Sequence, residues 1–388
     1  MLTSKDYSKA SASIIILLFV AGLLVGGLLI FFISYQRVSN LNGQISSLQS
    51  QVSDLRGFQN ATTQNITIFQ NGTSLEEIYS NVQSSVVLVQ GDTSSGGVQG
   101  SGFVYNFAGQ MVVLTNFHVV EGTTGLSVTF SDGHGYAATV LGTDPYSDLA
   151  VVSVSSEASS SEFQPLSIVT SSKLSVGEPV IAIGNPYGLV GSLTTGVVSA
   201  TGRTITENAS GGFAIANIIQ TSTPINPGNS GGPLLNSVGN VVGITAAIVS
   251  DSQGLGFAIP SNTILREVSD LITTGSYHGH SYLGVTGTDM DYTTAQKTGA
   301  SVTYGWQIAT IVSGGPSDGK LQVNDIIVGM GVKASNGTIM NQQIIKNNDD
   351  LASYLEQNTL PGDSLVLTIY RGNTQTDVTV ILGTRPGP

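Results

Sequence analysis

Apolar residues follow four successive patterns along this chain, and each predicts a different kind of element. From Ile14 to Ile33 the sequence is an uncharged apolar run, long enough to cross a bilayer as a helix. Lys5 and Lys9 precede it and only Arg37 lies close behind, so the positive-inside bias keeps residues 1–13 in the cytoplasm and sends the rest outward. A cleaved signal peptide is the alternative, but the run exceeds the usual apolar region of about 7–15 residues and no A-x-A site follows it. Next, Val38, Leu41, Ile45, Leu48, Val52 and Leu55 alternate spacings of three and four. Over residues 37–57 that is the seam of a coiled-coil stalk or, since it is short, of a single amphipathic helix. Residues 58–74 lose the period and carry sequons at Asn60, Asn65 and Asn71, with others at Asn208 and Asn336. Such a segment suits a polar, glycosylated linker.

From residue 75 the period falls to that of strands. Short runs such as "SSVVLVQG", "GLSVTFSDG", "DLAVVSV", "EPVIAIGNP" and "NVVGITAAIV" alternate with Gly, Asn and Asp turns, as expected of a barrel or sandwich. At 259–275 the period returns to 3.6. Ser261 or Asn262 stands where a cap would, Ile264, Leu265, Val268, Leu271 and Ile272 supply one face, and Gly275 ends the helix. A helix closing a β unit predicts a boundary, so the first unit is 75–275 and a second runs over 281–386.

Composition sharpens this picture. Only 10% of residues are charged and 48 are Gly, which favours many strands and turns over long surface helices. The net charge of −12 and the lack of any dense Lys/Arg cluster argue against a nucleic-acid surface and make nucleic acid a poor partner. With no Cys, disulfides, thiolate metal sites and a cysteine nucleophile are excluded as well.

The segment "TPINPGNSGGPLL" sets Ser230 among glycines. It reads either as a surface turn or as a nucleophile loop whose N–H groups face a developing charge. The second reading needs a base, and the chain has four His. His134 lies in a hairpin-like "SDGHGY", and His278 and His280 lie in the linker "SYHGHS" with no other metal ligand close in sequence; these three read as solvated. His118 follows the apolar strand "MVVLT", where a free imidazole is out of place. Of two nearby acids, Asp144 precedes Pro145 and reads as a turn former. Asp148 directly precedes "LAVVSV" and would be buried, needing a partner; it is the better orienter for His118.

Taken in order, "GSGFVYNFAGQMVVLTNFHVV", "GTDPYSDLAVV", "IAIGNPYGL", "INPGNSGGPLLN" and "GLGFAIPSN" resemble the HtrA/Deg family of trypsin-like serine peptidases. The resemblance implies a mostly β fold, a chymotrypsin-like double β-barrel followed by a PDZ domain. It makes His118 the general base, Asp148 its orienter and Ser230 the nucleophile, with the backbone N–H groups of Gly228 and Ser230 as the oxyanion hole. The base of the S1 pocket would come from Pro224, six residues before the nucleophile, and from Ile244 and Ala246 in the strand after it; Asp251 could fold back into that pocket. "QTST" departs from the family's "QTDA", with Ser222 where an acid is common. "YLGV", Tyr282, Leu283, Gly284 and Val285, is similar to a PDZ loop that receives a peptide C-terminal carboxylate. The implied protein is a membrane-anchored endopeptidase of unfolded proteins, homo-oligomeric with a trimer favoured, and without cofactor or metal. A catalytically silent holding chaperone or peptide-binding scaffold is the alternative, against which the complete set of catalytic residues argues.

Overall fold

The computed structural model describes residues 74–388, apart from 95, 156, 159–162, 186–190, 207–213, 227, 247–254 and 388, together with 36, 37 and 43. The chain divides into two units, residues 1–71 and 72–388. The apolar run 14–33, the heptads, and the sequons at Asn60, Asn65, Asn71 and Asn208 therefore lie outside the described residues. Among the described residues no helix is long and apolar enough to cross a membrane.

Helix α1 (Leu75–Val82) leads into two closed six-stranded barrels. The first contains β1 (Val86–Thr93), β2 (Gly96–Phe107), β3 (Gln110–Thr115), β4 (Thr124–Thr129), β5 (Gly135–Asp144) and β6 (Leu149–Val154), in the order β1-β2-β3-β6-β5-β4. The second contains β7 (Pro179–Gly184), β8 (Ser192–Thr206), β9 (Ala214–Thr221), β10 (Pro233–Leu235), β11 (Val241–Ala246) and β12 (Gly256–Pro260), in the order β10-β11-β12-β9-β8-β7. Alternate residues make each core. Val87 with Val89 and Ala150 with Val152 meet in the first, and Val180 with Ala182 and Leu234 with Val242 meet in the second. Closure removes the sheet edges that an exposed β protein would otherwise present. Between β3 and β4 the chain makes a helical turn, α2 (Phe117–Val120), which buries Val119 and Val120 in the first core.

Helix α3 (Ser261–Thr273) closes the second barrel, and Gly275, at φ 84°, ends it as expected. Its start differs from the expectation. Pro260 is the N-cap and caps nothing with a side chain; the Ser261 hydroxyl donates to the Val169 carbonyl, and the Asn262 side chain accepts from Thr170 and Ser171. Both side chains are used to tie the helix to the strand-like segment before β7. Its buried face differs too: Leu265 is exposed, while Glu267 is wholly buried between Ile264, Val268 and Leu271.

The C-terminal region is a sheet with two helices. Its strands are β13 (Ser281–Tyr282), β14 (Val285–Asp289), β15 (Trp306–Ile311), β16 (Ile326–Lys333), β17 (Ile339–Ile344), β18 (Ser364–Arg371), β19 (Thr374–Ile381) and β20 (Gly383–Thr384). The main order is β14-β15-β16-β18-β19, with β17 on β16 and β13 paired to β20. Helices α4 (Tyr292–Thr298) and α5 (Asn348–Asn358) are capped by Asp291 and Asn347. Trp306, Ile308, Leu351, Tyr354, Leu365 and Leu367 are among the residues of its core.

Candidate active site

Strand β3 ends at Thr115, and the turn of α2 that follows presents His118 at the rim of the first barrel. The β5–β6 turn delivers Asp148 to the same place. Asp148 is fully buried and sits at φ 49°, a left-handed conformation uncommon for a non-glycine residue. Four contacts hold it there. Its carbonyl accepts from the Phe117 N–H (3.1 Å) and from the Asn116 side-chain amide (3.1 Å). Its carboxylate accepts from the His118 backbone N–H (2.9 Å) and faces the imidazole, with Nδ1 2.9 Å from Oδ2 and 3.1 Å from Oδ1. A carboxylate can only accept, so the proton is on Nδ1 and Nε2 is left as the basic nitrogen. The sequence expectation for Asp148, a buried acid needing a partner, is met by this pair.

Ser230 lies in the loop between β9 and β10 and is nearly buried. Its carbonyl accepts from the Ser101 N–H on β2 at 2.7 Å. Gly100 beside it brings the two halves together: a Cβ there would lie 2.7 Å from Val119, the neighbour of His118, and 3.0 Å from the Ser230 carbonyl. The turn that carries His118 and the loop that carries Ser230 thus both pack on Gly100, a role the sequence analysis missed although "QGSGF" held its signal. Gly228 and Gly231 have φ of 97° and 85°. At Gly231 a Cβ would come within 2.0 Å of the Ser101 carbonyl, so the residue after Ser230 must be glycine. The loop reading of "GNSGG" as more than a surface turn agrees with this burial.

Pro224 is exposed, its carbonyl accepting from Thr194 at 2.9 Å; Ile244 and Ala246 are buried on β11. Asp251 lies outside the described residues. Further along, Tyr282 is on β13 and Leu283 is buried with its carbonyl accepting from the Ser317 hydroxyl at 2.6 Å. The Gly284 carbonyl accepts from the Val312 N–H at 2.9 Å, and Val285 begins β14. Among the described residues β14 is paired on one side only, with β15.

One expectation is overturned. His280 is not solvated: it is 4% exposed, with Nε2 2.6 Å from Asp144 and Nδ1 3.2 Å from Glu356. Asp144 does form its turn, accepting from the Tyr146 N–H at 2.9 Å, but it too is buried. The Glu267 carboxylate joins them, accepting from Ser147 (2.9 Å) and from Arg266 (2.5 Å), whose guanidinium also pairs with Glu356. Asp144, Glu267 and His280 offer ligand atoms within 4.8 Å of one another, so other potential ligands do surround His280. The hydrogen bonds they make and the adjacent guanidinium are those of an ion-pair network. His278 is exposed, and His134 pairs with Asp132 at the surface, as the sequence suggested.

A family model described as a trypsin-like peptidase domain matches residues 100–244. The chain is 38% identical over 295 residues to a "Probable periplasmic serine endoprotease DegP-like" of Chlamydia pneumoniae, covering 74% of this chain and 56% of that one. It is 35% identical to the "Serine protease Do-like HtrA" of Lactococcus lactis subsp. cremoris, covering 70% and 68%. Among solved structures, the "HtrA-type protease AlgW with tripeptide" is similar with a TM-score of 0.63 and 29% identity, over 81% of this chain and 99% of that chain. The chain spans about half to two thirds of the length of the curated relatives named DegP-like or HtrA in Chlamydia and Bacillus.

Proposed function

The chain belongs to the HtrA/Deg family of trypsin-like serine proteases, and from that membership we propose that it is a serine endopeptidase acting on unfolded or misfolded proteins outside the cytoplasm. The observation that carries the reading is the pair of buried Asp148 and half-buried His118 packed, through Gly100, against the loop of Ser230. In this reading Ser230 attacks the scissile carbonyl while Nε2 of His118 takes its proton and later returns it to the leaving amine. Asp148 keeps the imidazole in the reactive tautomer and stabilises its charged form. The N–H groups of Gly228 and Ser230 receive the oxyanion. Purified protein should degrade unfolded casein and its Ser230→Ala form should not; equal degradation by both would end the reading, and binding without cleavage by both would favour the holding-chaperone alternative.

Residues 75–275 form the protease domain and 281–386 a PDZ domain in this proposal. Support for the latter comes from β14, a strand with one unpaired side after a loop whose carbonyls at Leu283 and Gly284 are already occupied. Such a strand suits peptide capture by strand addition, with the loop around Tyr282–Val285 taking the terminal carboxylate. Residues 14–33 anchor the chain, the N-terminus stays cytoplasmic, and the stalk favours a homo-oligomer, a trimer by family likeness.

Around Pro224, Ile244 and Ala246 we place an S1 pocket without an acid at its base. Cleavage should follow small or medium aliphatic residues such as Val, Ala or Ile. A methylene discriminates by only about 1–3 kcal/mol in such a pocket, so the preference should be broad. Mass-spectrometric mapping of cuts in a denatured protein tests this, and a majority after Lys or Arg would overturn it.

A further inference from the structure

Behind the nucleophile loop stand two buried hydroxyls, one from each barrel, that the triad does not use. Ser101 on β2 donates its Oγ–H to the Gly228 carbonyl at 2.6 Å and accepts from the Asn185 N–H at 2.8 Å. Thr245 on β11 donates its Oγ1–H to the Asn229 carbonyl at 2.6 Å and stands 3.1 Å from the Gly232 carbonyl. Both residues are fully buried. Because the Ser101 N–H also binds the Ser230 carbonyl at 2.7 Å, three consecutive carbonyls, at 228, 229 and 230, are held from the interior.

In a trans peptide the C=O and the following N–H point in opposite directions. Holding the Asn229 carbonyl against Thr245 therefore aims the N–H of Ser230 away from the barrel wall. Holding the Gly228 carbonyl against Ser101 turns the N–H of Asn229 the other way, where the Asn226 carbonyl takes it at 2.9 Å. That bond fixes the plane next to Gly228 while Gly228 keeps its φ of 97°. An oxyanion hole acts by donors that are already oriented when charge develops, so small rotations of these planes matter.

We propose that the hydroxyls of Ser101 and Thr245 are positioning groups for the oxyanion hole: Thr245 holds the 229–230 peptide that carries the Ser230 N–H, and Ser101 holds the 228–229 peptide next to Gly228. The proposal rests on Ser230 being the nucleophile and assigns new work to residues outside the triad. Thr245 gives the cleaner test: the Gly232 N–H also binds the Asn229 carbonyl, at 3.0 Å, so losing the hydroxyl leaves the loop tethered but less firmly aimed.

The experiment compares the full-length protein with Ser101→Ala, Thr245→Val and Thr245→Ser. For each, kcat and KM on a peptide substrate, inhibition by a peptide boronate that forms a tetrahedral adduct with the serine, and the melting temperature are measured. Ser101→Ala and Thr245→Val should lower kcat by about 10- to 100-fold with KM within about twofold, and boronate inhibition should weaken by the same factor as kcat/KM. Thr245→Ser, which keeps the hydroxyl, should behave as the wild type. Unchanged kcat and boronate affinity with only a lower melting temperature would make the hydroxyls structural and overturn the proposal, as would Thr245→Ser being as impaired as Thr245→Val. If Ser101→Ala does not melt cooperatively, the two Thr245 variants decide alone. A wild type inert to substrate and boronate overturns the peptidase reading itself, and this proposal with it.

Discussion

Alanine at Ser230 or at His118 is expected to lower peptide hydrolysis by about five to six orders of magnitude, with the double variant no slower than either single one. In the proposed mechanism the two side chains act on one proton transfer, so removing the base leaves a hydroxyl that does not attack, and removing the hydroxyl leaves a base with nothing to activate. Asp148→Asn should cost about 10⁴-fold. The carboxylate faces both the imidazole Nδ1 and the His118 backbone N–H. An amide there can present its NH₂ to Nδ1 and favour the tautomer in which Nε2 is protonated and cannot act as base. Steady-state kinetics on a peptide found with the wild type checks the rates. A fluorophosphonate that reacts with activated serines supplies a second readout and should label Ser230 only while His118 is present. Equal labelling of His118→Ala, or strictly multiplicative losses in the double variant, would contradict the assignment.

These residues were legible in the chain because their signals are local. A histidine after an apolar strand, an acid just before one, and a serine among glycines each stand out within about ten residues of sequence. The strands were legible for the same reason, through strand-length runs and turns, but these left barrel and sandwich equally open, and the double barrel came from the family resemblance. What the chain concealed depends on packing between distant segments. Gly100 is one of many glycines until Val119 and the Ser230 carbonyl are seen on either side of it. Glu267 did leave a trace. Residues 264, 267, 268 and 271 follow the i, i+3, i+4, i+7 spacing of a helix face, and the true buried stripe is that set with a carboxylate in its middle. Of the face read from the sequence, Ile264, Val268 and Leu271 are buried, Ile272 is half-buried and Leu265 is exposed; the residue passed over was the carboxylate among them. His280 was misread because its partners come from positions 144 and 356, and no reading of "SYHGHS" by itself can supply them.

Replacing His280 with alanine is expected to destabilise the protein by about 3–5 kcal/mol, the usual result of removing one partner from a buried ion pair, and to lower the melting temperature by roughly 10 °C. The charged and titratable groups around it are Asp144 at the end of β5, Tyr146 in the β5–β6 turn, Arg266 and Glu267 on α3, Tyr277 in the linker, Glu356 on α5 and Arg385 near the C-terminus. They join the first barrel, the closing helix and the C-terminal region, so the loss should also loosen those parts from one another. Burial opposes the charge on His280, but the hydrogen bonds and charges of Asp144 and Glu356 prevail and raise its pKa from 6.5 to about 10. Burial likewise opposes ionisation of Glu356, and His280 and Arg266 outweigh it, bringing its pKa from 4.5 to about 2. Glu267 goes the other way: burial, with the Asp144 carboxylate beside it, raises it well above 4.5. A raised histidine contributes fully below its unfolded value of 6.5 and loses that contribution as pH rises through about 10. A depressed carboxylate contributes fully above 4.5 and loses it as pH falls through about 2. The raised Glu267 adds stability that fades as pH climbs above 4.5. Together they put the greatest contribution near pH 4.5–6.5, with decline on both sides. Calorimetric melting from pH 2 to 10 should show that maximum in the wild type, and His280→Ala should lose the part of the alkaline decline that the imidazole supplies. A variant that melts with the wild-type temperature and pH profile would mean that the cluster holds nothing together.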